Sequence, residues 1–224
     1  MNGTVYIQLL DLACGALLVT AVVIVWRQRL TAIIRTLALQ GTALAAIAAI
    51  LAVHARDARL GVIAAGVLAL RAVALPWLLG RALDSSGSGP GTGERETRPL
   101  VNVTASLLAV AVLVLIAYAV SRPVSALGRS PAADAVGVGI AVTLTGFFVL
   151  VTRRRAVSQL AGFLLMDNGI TATGLLATAG TGLLVEAGVS LDVLLAVVVL
   201  RVLTSRMRDT FGDTDLDDLR ELHD

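Results

Sequence analysis

Seven apolar runs of roughly bilayer length decide what this chain can fold into. A span needs about 20 apolar residues, and such runs lie near 5–26, 32–53, 60–80, 101–120, 133–152, 157–179 and 183–204. In hydrocarbon the backbone finds no water to bond, so each run must be helical. The expected fold is all-α, a polytopic integral membrane protein with seven transmembrane helices. Composition agrees: 15% of the residues are charged, against about 25% in soluble domains. The first run ends in WRQR, with no basic segment before it and no small-residue cleavage site, so it reads as a helix and not a signal peptide.

Arginines give the orientation. All 18 basic residues are arginine. Twelve fall on one side of the spans: Arg27, Arg29, Arg35, Arg81, Arg95, Arg98, Arg153, Arg154, Arg155, Arg206, Arg208 and Arg220. Four fall on the other: Arg56, Arg59, Arg122 and Arg129. The positive-inside rule then predicts an N-terminus outside and a cytoplasmic C-terminus. Trp26 and Trp77 stand near span ends, where interfacial indoles belong. These arginines hold topology and make no case for a nucleic-acid partner. The implied surrounding is the lipid bilayer.

Three regions follow from composition. Residues 1–120 carry helices one to four and a glycine-rich polar loop at 84–99, DSSGSGPGTGERETRP. Residues 121–204 carry the last three helices after a shorter loop, Arg122 to Pro131, and 205–224 form an acidic tail. Helices one to three and five to seven echo one another. Each triplet has an arginine-rich link (RQR at 27–29, RRR at 153–155) and then a polar residue some 11 or 12 positions on, Gln40 before Gly41 and Asp167 before Asn168-Gly169. Membrane transport folds are often built from such repeats.

Ionisable groups at membrane depth are functional candidates by default. The stretch Gly162 to Met207 holds three acids. Asp167 lies about 18 Å in from Arg155, and Asp192 about 21 Å in from Arg206. Glu186 falls nearer the outer interface. Arg71 is the complementary charge, at mid-span and five positions before Pro76, whose missing N–H leaves the carbonyl of Ala72 without its helical partner. Asp167, Asp192 or a partner subunit would supply its acid. Desolvation disfavours an ionised carboxyl and a neighbouring cation favours it; a group held between the two can exchange a proton. Arg201 can snorkel to the interface, and Asp11 and Gln40 read as structural.

Soluble chemistry is not written here. The segment GSGPGTGER at 87–95 lacks the Gly-Lys-Ser/Thr ending of a phosphate loop, and no G-x-S-x-G occurs. Cys14 is the only cysteine and sits in an apolar run, which fits a small core residue. His54 and His223 show no ligand spacing with it. The expectation is a chain with no catalytic residue, metal or cofactor of its own.

The segments GFLLMDNGI, LLVEAGVSLDVLLAVVVL and RMRDTFGDTDLDDLREL resemble the membrane subunit called hydrogenase-4 component E, as does LRAVALPWLL around Arg71. That family has Glu where Asp167 stands and a lysine at the Arg71 position. Helices five to seven also resemble the three-helix K subunit of complex I, whose glutamate falls at Leu164 in this register. The resemblance implies a non-catalytic membrane subunit of a complex I-like, nickel–iron hydrogenase-type assembly. Antiporter-like membrane subunits and hydrogenase-like peripheral subunits would be its partners. Its own part would be to set Asp167, Asp192, Glu186 and Arg71 on a buried axis coupling electron transfer to proton or sodium movement. The alternatives are a subunit of a multi-subunit cation/proton antiporter and a purely structural membrane scaffold.

Overall fold

The computed structural model describes residues 2–85, 102–127, 130–153 and 156–178. Those residues form eight α-helices and one π-helical turn: α1 (Gly3–Trp26), α2 (Leu30–Ala55), α3 (Ala58–Val67), the π-turn (Leu68–Ala74), α4 (Leu75–Ser85), α5 (Val103–Leu127), α6 (Pro131–Asp134), α7 (Val136–Thr152) and α8 (Ala156–Ala177). The elements α3, π-turn and α4 run on as one long helix. The described residues are all-helical, and six segments are long and apolar enough to cross a membrane. They match the first six expected spans. The seventh, near 183–204, lies outside the described residues, as do Asp192, Glu186, Arg201 and the acidic tail.

Local chemistry fixes the joints. Arg56 takes a left-handed conformation (φ 55°) that ends α2. Asp57 then caps α3, its carboxylate accepting the Arg59 N–H at 2.8 Å. Pro131 opens α6, and the Ser130 hydroxyl accepts the Ala133 N–H at 3.2 Å. The sequence expectation of a loop from Arg122 to Pro131 needs correction, because α5 continues through Pro123 to Leu127. Pro123 withholds one N–H from the carbonyl of Ala119, and is itself exposed.

Some 61% of the apolar stretch of α2 is buried against 17% of that of α5, so α2 stands at the centre and α5 at the rim. Around α2 pack α1, the long α3–α4 helix and α8, while α7 joins α8 to α1 and α5. The interior holds Leu10, Leu17 and Ile24 of α1 against Leu44, Ile47 and Leu51 of α2, all 0–2% exposed. Leu165 and Leu176 of α8 extend it. Lipid tails are as apolar as leucine, so close packing and polar contacts, more than dehydration, hold such helices together. Gly146 and Gly169 supply that closeness between α7 and α8, where a Cβ would meet backbone of the facing helix.

Candidate functional site

At the level of Gln40, Arg71 and Asp167 the core turns polar. Arg71 is 4% exposed and Asp167 7%, and Nη2 of Arg71 stands 2.6 Å from Oδ2 of Asp167. The sequence left three sources open for this acid, and Asp167 is the one the fold brings to it. Asp167, Asn168 and Thr171 share a face of α8 by their three- and four-residue spacing. Arg71 uses all of it: Nη2 also donates to Thr171 Oγ1 at 2.9 Å, and Nη1 donates to Asn168 Oδ1.

The chain of contacts then passes to α2. Asn168 Nδ2 donates to Gln40 Oε1 at 2.9 Å, and Gln40 is fully buried. Arginine has only donors, so it turns the Asn168 carbonyl towards itself and thereby sets the direction of both amides. Gln40 Nε2 ends the chain with no acceptor among the described residues. An orphaned buried donor costs about 1–3 kcal/mol, a reason to expect this layer to keep a polar role. Gln40, read from sequence as structural, is therefore part of the cluster. The echo between Gln40-Gly41 and Asp167-Asn168-Gly169 becomes a contact: its two amides hydrogen-bond to each other.

Two features aim Arg71. The π-turn Leu68–Ala74 surrounds it, and Pro76, just beyond, has no N–H for the carbonyls behind it. Facing the turn is Gly41, where a Cβ would stand 2.7 Å from the carbonyl carbon and oxygen of Arg71. The absent side chain lets α2 and the π-turn touch backbone to backbone.

Beside Arg71 and Asn168 lies a small cleft walled by Leu37, Leu75, Pro76, Leu79 and Leu164, with room for about one water. Each wall residue stands on the arginine-rich side of the charged layer: Leu37 before Gln40, Leu164 before Asn168, and Leu79 two positions from Arg81. On the opposite side, Leu44 and Leu176 are fully buried. In a Cys14→Ser background, Leu164→Cys and Leu37→Cys should react with a small charged thiol reagent from the arginine-rich face, and Leu44→Cys and Leu176→Cys should not. Equal labelling of all four would refute one-sided access.

Other polar residues are placed more simply. Arg153, one of the twelve topology arginines, is 6% exposed and is spent inside: Nη2 donates to the carbonyls of Val25 (2.9 Å) and Arg27 (3.3 Å). It thus bonds carbonyls that the end of α1 leaves open and ties the two halves of the chain. Trp26 and Trp77 are exposed at that same end, with Arg27 and Arg81 over their rings at 5.5 and 5.3 Å. Cys14 is a buried core residue. His54 stacks on Tyr6 with ring centroids 3.9 Å apart. Among the described residues no group of His, Cys, Asp and Glu could hold a metal.

No protein-family model matches this chain. No solved structure matches it either. A curated relative does: the "Uncharacterized protein Rv0085" of Mycobacterium tuberculosis (strain ATCC 25618 / H37Rv) is 50% identical over 224 residues, which cover 100% of both chains.

Proposed function

The chain belongs to the family of Rv0085, and from the charge pair it buries at mid-span we propose that it is a non-catalytic membrane subunit of a hydrogenase-4-like, complex I-like oxidoreductase. In this reading it sits in a bacterial plasma membrane, N-terminus outside and C-terminal tail in the cytoplasm. Redox chemistry belongs to hydrogenase-like peripheral subunits, and antiporter-like subunits pack alongside. The observation that carries the reading is the Arg71–Asp167 pair, a mid-membrane charge pair that packing alone does not require.

The pair can exist in two charge states. With Asp167 ionised, the guanidinium and carboxylate neutralise one another. With Asp167 protonated, the carboxyl is neutral and the guanidinium is left to the other polar groups around it. The Asn168 carbonyl and the Thr171 hydroxyl still hold Arg71 in place. A field change from a neighbouring redox step would shift the balance between the states, and Arg71, which touches both Asp167 and the one-water cleft, links the acid to the arginine-rich side. Leu164, where the complex I register puts its glutamate, lines that cleft beside Arg71. The acid stands three positions along the same helix, about 4.5 Å away by helical rise. Asp192 and Glu186 would continue the axis on the seventh span.

The test is transport in vesicles holding the assembled complex. Asp167→Asn and Arg71→Ala should each lower ion movement per electron transferred at least tenfold while the subunit still co-purifies. If both variants transported at the normal rate, the pair would be packing and the chain a scaffold.

A further inference from the structure

The outward face of α1 carries a second polar feature, which the buried pair does not use. Thr4, Gln8, Asp11 and Gly15 are all exposed, and their spacing of four, three and four residues aligns them in one stripe. The buried face of α1, through Leu10, Leu17 and Ile24, points elsewhere. The stripe keeps its spacing through Leu18 and Val22, both half-buried and apolar. Spacing of this kind is the seam along which a second helix packs at a shallow angle.

Asp11 stands eight positions into α1, about 12 Å along the helix from Gly3. Asp167, the carboxylate described above, is buried and answered by an arginine. Asp11 is exposed on a membrane-spanning helix, near enough to Cys14 of α1 and Tyr118 of α5 to act on both electrostatically, but makes no hydrogen bond or ion pair among the described residues. A carboxylate and a glutamine on a lipid-facing stripe are unfavourable, and transmembrane helices use such residues to bind one another.

We propose that the Thr4–Gln8–Asp11–Gly15 stripe is a docking seam for a transmembrane helix of another protein, one that presents a basic or amide side chain at the depth of Asp11. Charge decides between that partner and a second copy of this chain. Two copies meeting on this seam about a two-fold axis would bring Asp11 against Asp11, and like charges repel. A donor from a different protein answers the carboxylate and the Gln8 amide together. Gly15 lets that helix approach, since nothing lies within 4 Å of where its Cβ would be. The inference is independent of the chemistry assigned to Arg71: it holds for any membrane assembly that contains this subunit.

The experiment is site-specific photo-crosslinking in native membranes. A photoreactive residue replaces Leu12, which is 70% exposed beside the seam, and a control probe replaces Leu108 on α5, 65% exposed. The Leu12 probe should give one discrete protein adduct that the Leu108 probe does not. Mass spectrometry should place the cross-linked peptide in a membrane span with Arg, Lys, His, Asn or Gln within one turn. Asp11→Leu should cut the adduct at least tenfold, and Asp11→Asn, which still bonds a donor, should retain most of it. Adducts confined to lipid, to a second copy or to residues 183–204 of the same chain would overturn the proposal, as would an unchanged yield in Asp11→Leu. Because Asp11 is exposed, both variants should keep the parent's unfolding temperature in detergent.

Discussion

Truncating Asp167 to alanine destabilises the folded protein by about 3–5 kcal/mol, because it strands the Arg71 guanidinium beside a cleft with room for about one water, too little to replace the lost carboxylate. Arg71 and Asp167 side chains are only 3% and 9% exposed, so solvent screening offers little relief. The loss belongs to the unpaired charge more than to the contact. The double variant Arg71→Met, Asp167→Leu should therefore recover most of it. Reversible unfolding of the purified protein in mixed micelles, followed by helical signal, measures both. If the double variant were as unstable as the single one, the layer would owe its stability to specific geometry instead of charge balance. Comparing this ledger with transport separates the roles, since the double variant should fold well and transport nothing.

Gly41→Ala is expected to cost about 1–3 kcal/mol although it adds a single methyl group. The added carbon meets the carbonyl carbon and oxygen of Arg71 and the nitrogen of Ala72, at 2.7, 2.7 and 2.8 Å. These are backbone atoms that cannot rotate away. The long helix has to move off α2 and carry the guanidinium with it, so transport should fall together with stability. Gly66→Ala on the same helix is the control. Nothing lies within 4 Å of its Cβ position, and alanine in a helix interior is worth about 0.5–1 kcal/mol over glycine. Equal effects at the two sites would mean that the close approach at Gly41 does not position Arg71.

Apolar run lengths were enough to read six spans, since in a bilayer length and hydropathy leave the backbone one option. Depth counting from Arg155 put Asp167 about 18 Å in, Arg71 stood at mid-span of the third run, and the fold pairs them. Direction around a helix was harder to read. Gln40 looked like isolated packing because its partner lies 128 residues away; only its echo with Asn168-Gly169 hinted at their meeting. Arg153 sits in a run of three arginines, and nothing in the run marks it as turning inward. Its fate depends on the open carbonyls of α1, which belong to tertiary structure. Asp11 resembled any outer-third polar residue until the buried face of α1 was known, for its neighbours Leu10 and Leu12 are equally apolar but 0% and 70% exposed. The loop expected from Arg122 began too early, since α5 carries Pro123 inside it.

The π-turn also works as a phase correction. An α-helix advances about 100° per residue, and a wider turn lags behind that count. Read as uninterrupted α-helix, Leu60, Ala64, Val67 and Arg71 would share one side, and Leu75, Leu79 and Pro76 would drift about 40°, 80° and 140° round from Arg71. All seven are buried. The lag brings the later three back into line and sends Trp77 out to the interface. Removing one residue between Leu68 and Ala74 would thus do more than shorten the helix. It would rotate the cleft wall out of register with Arg71 while leaving every side chain in the charged layer chemically intact.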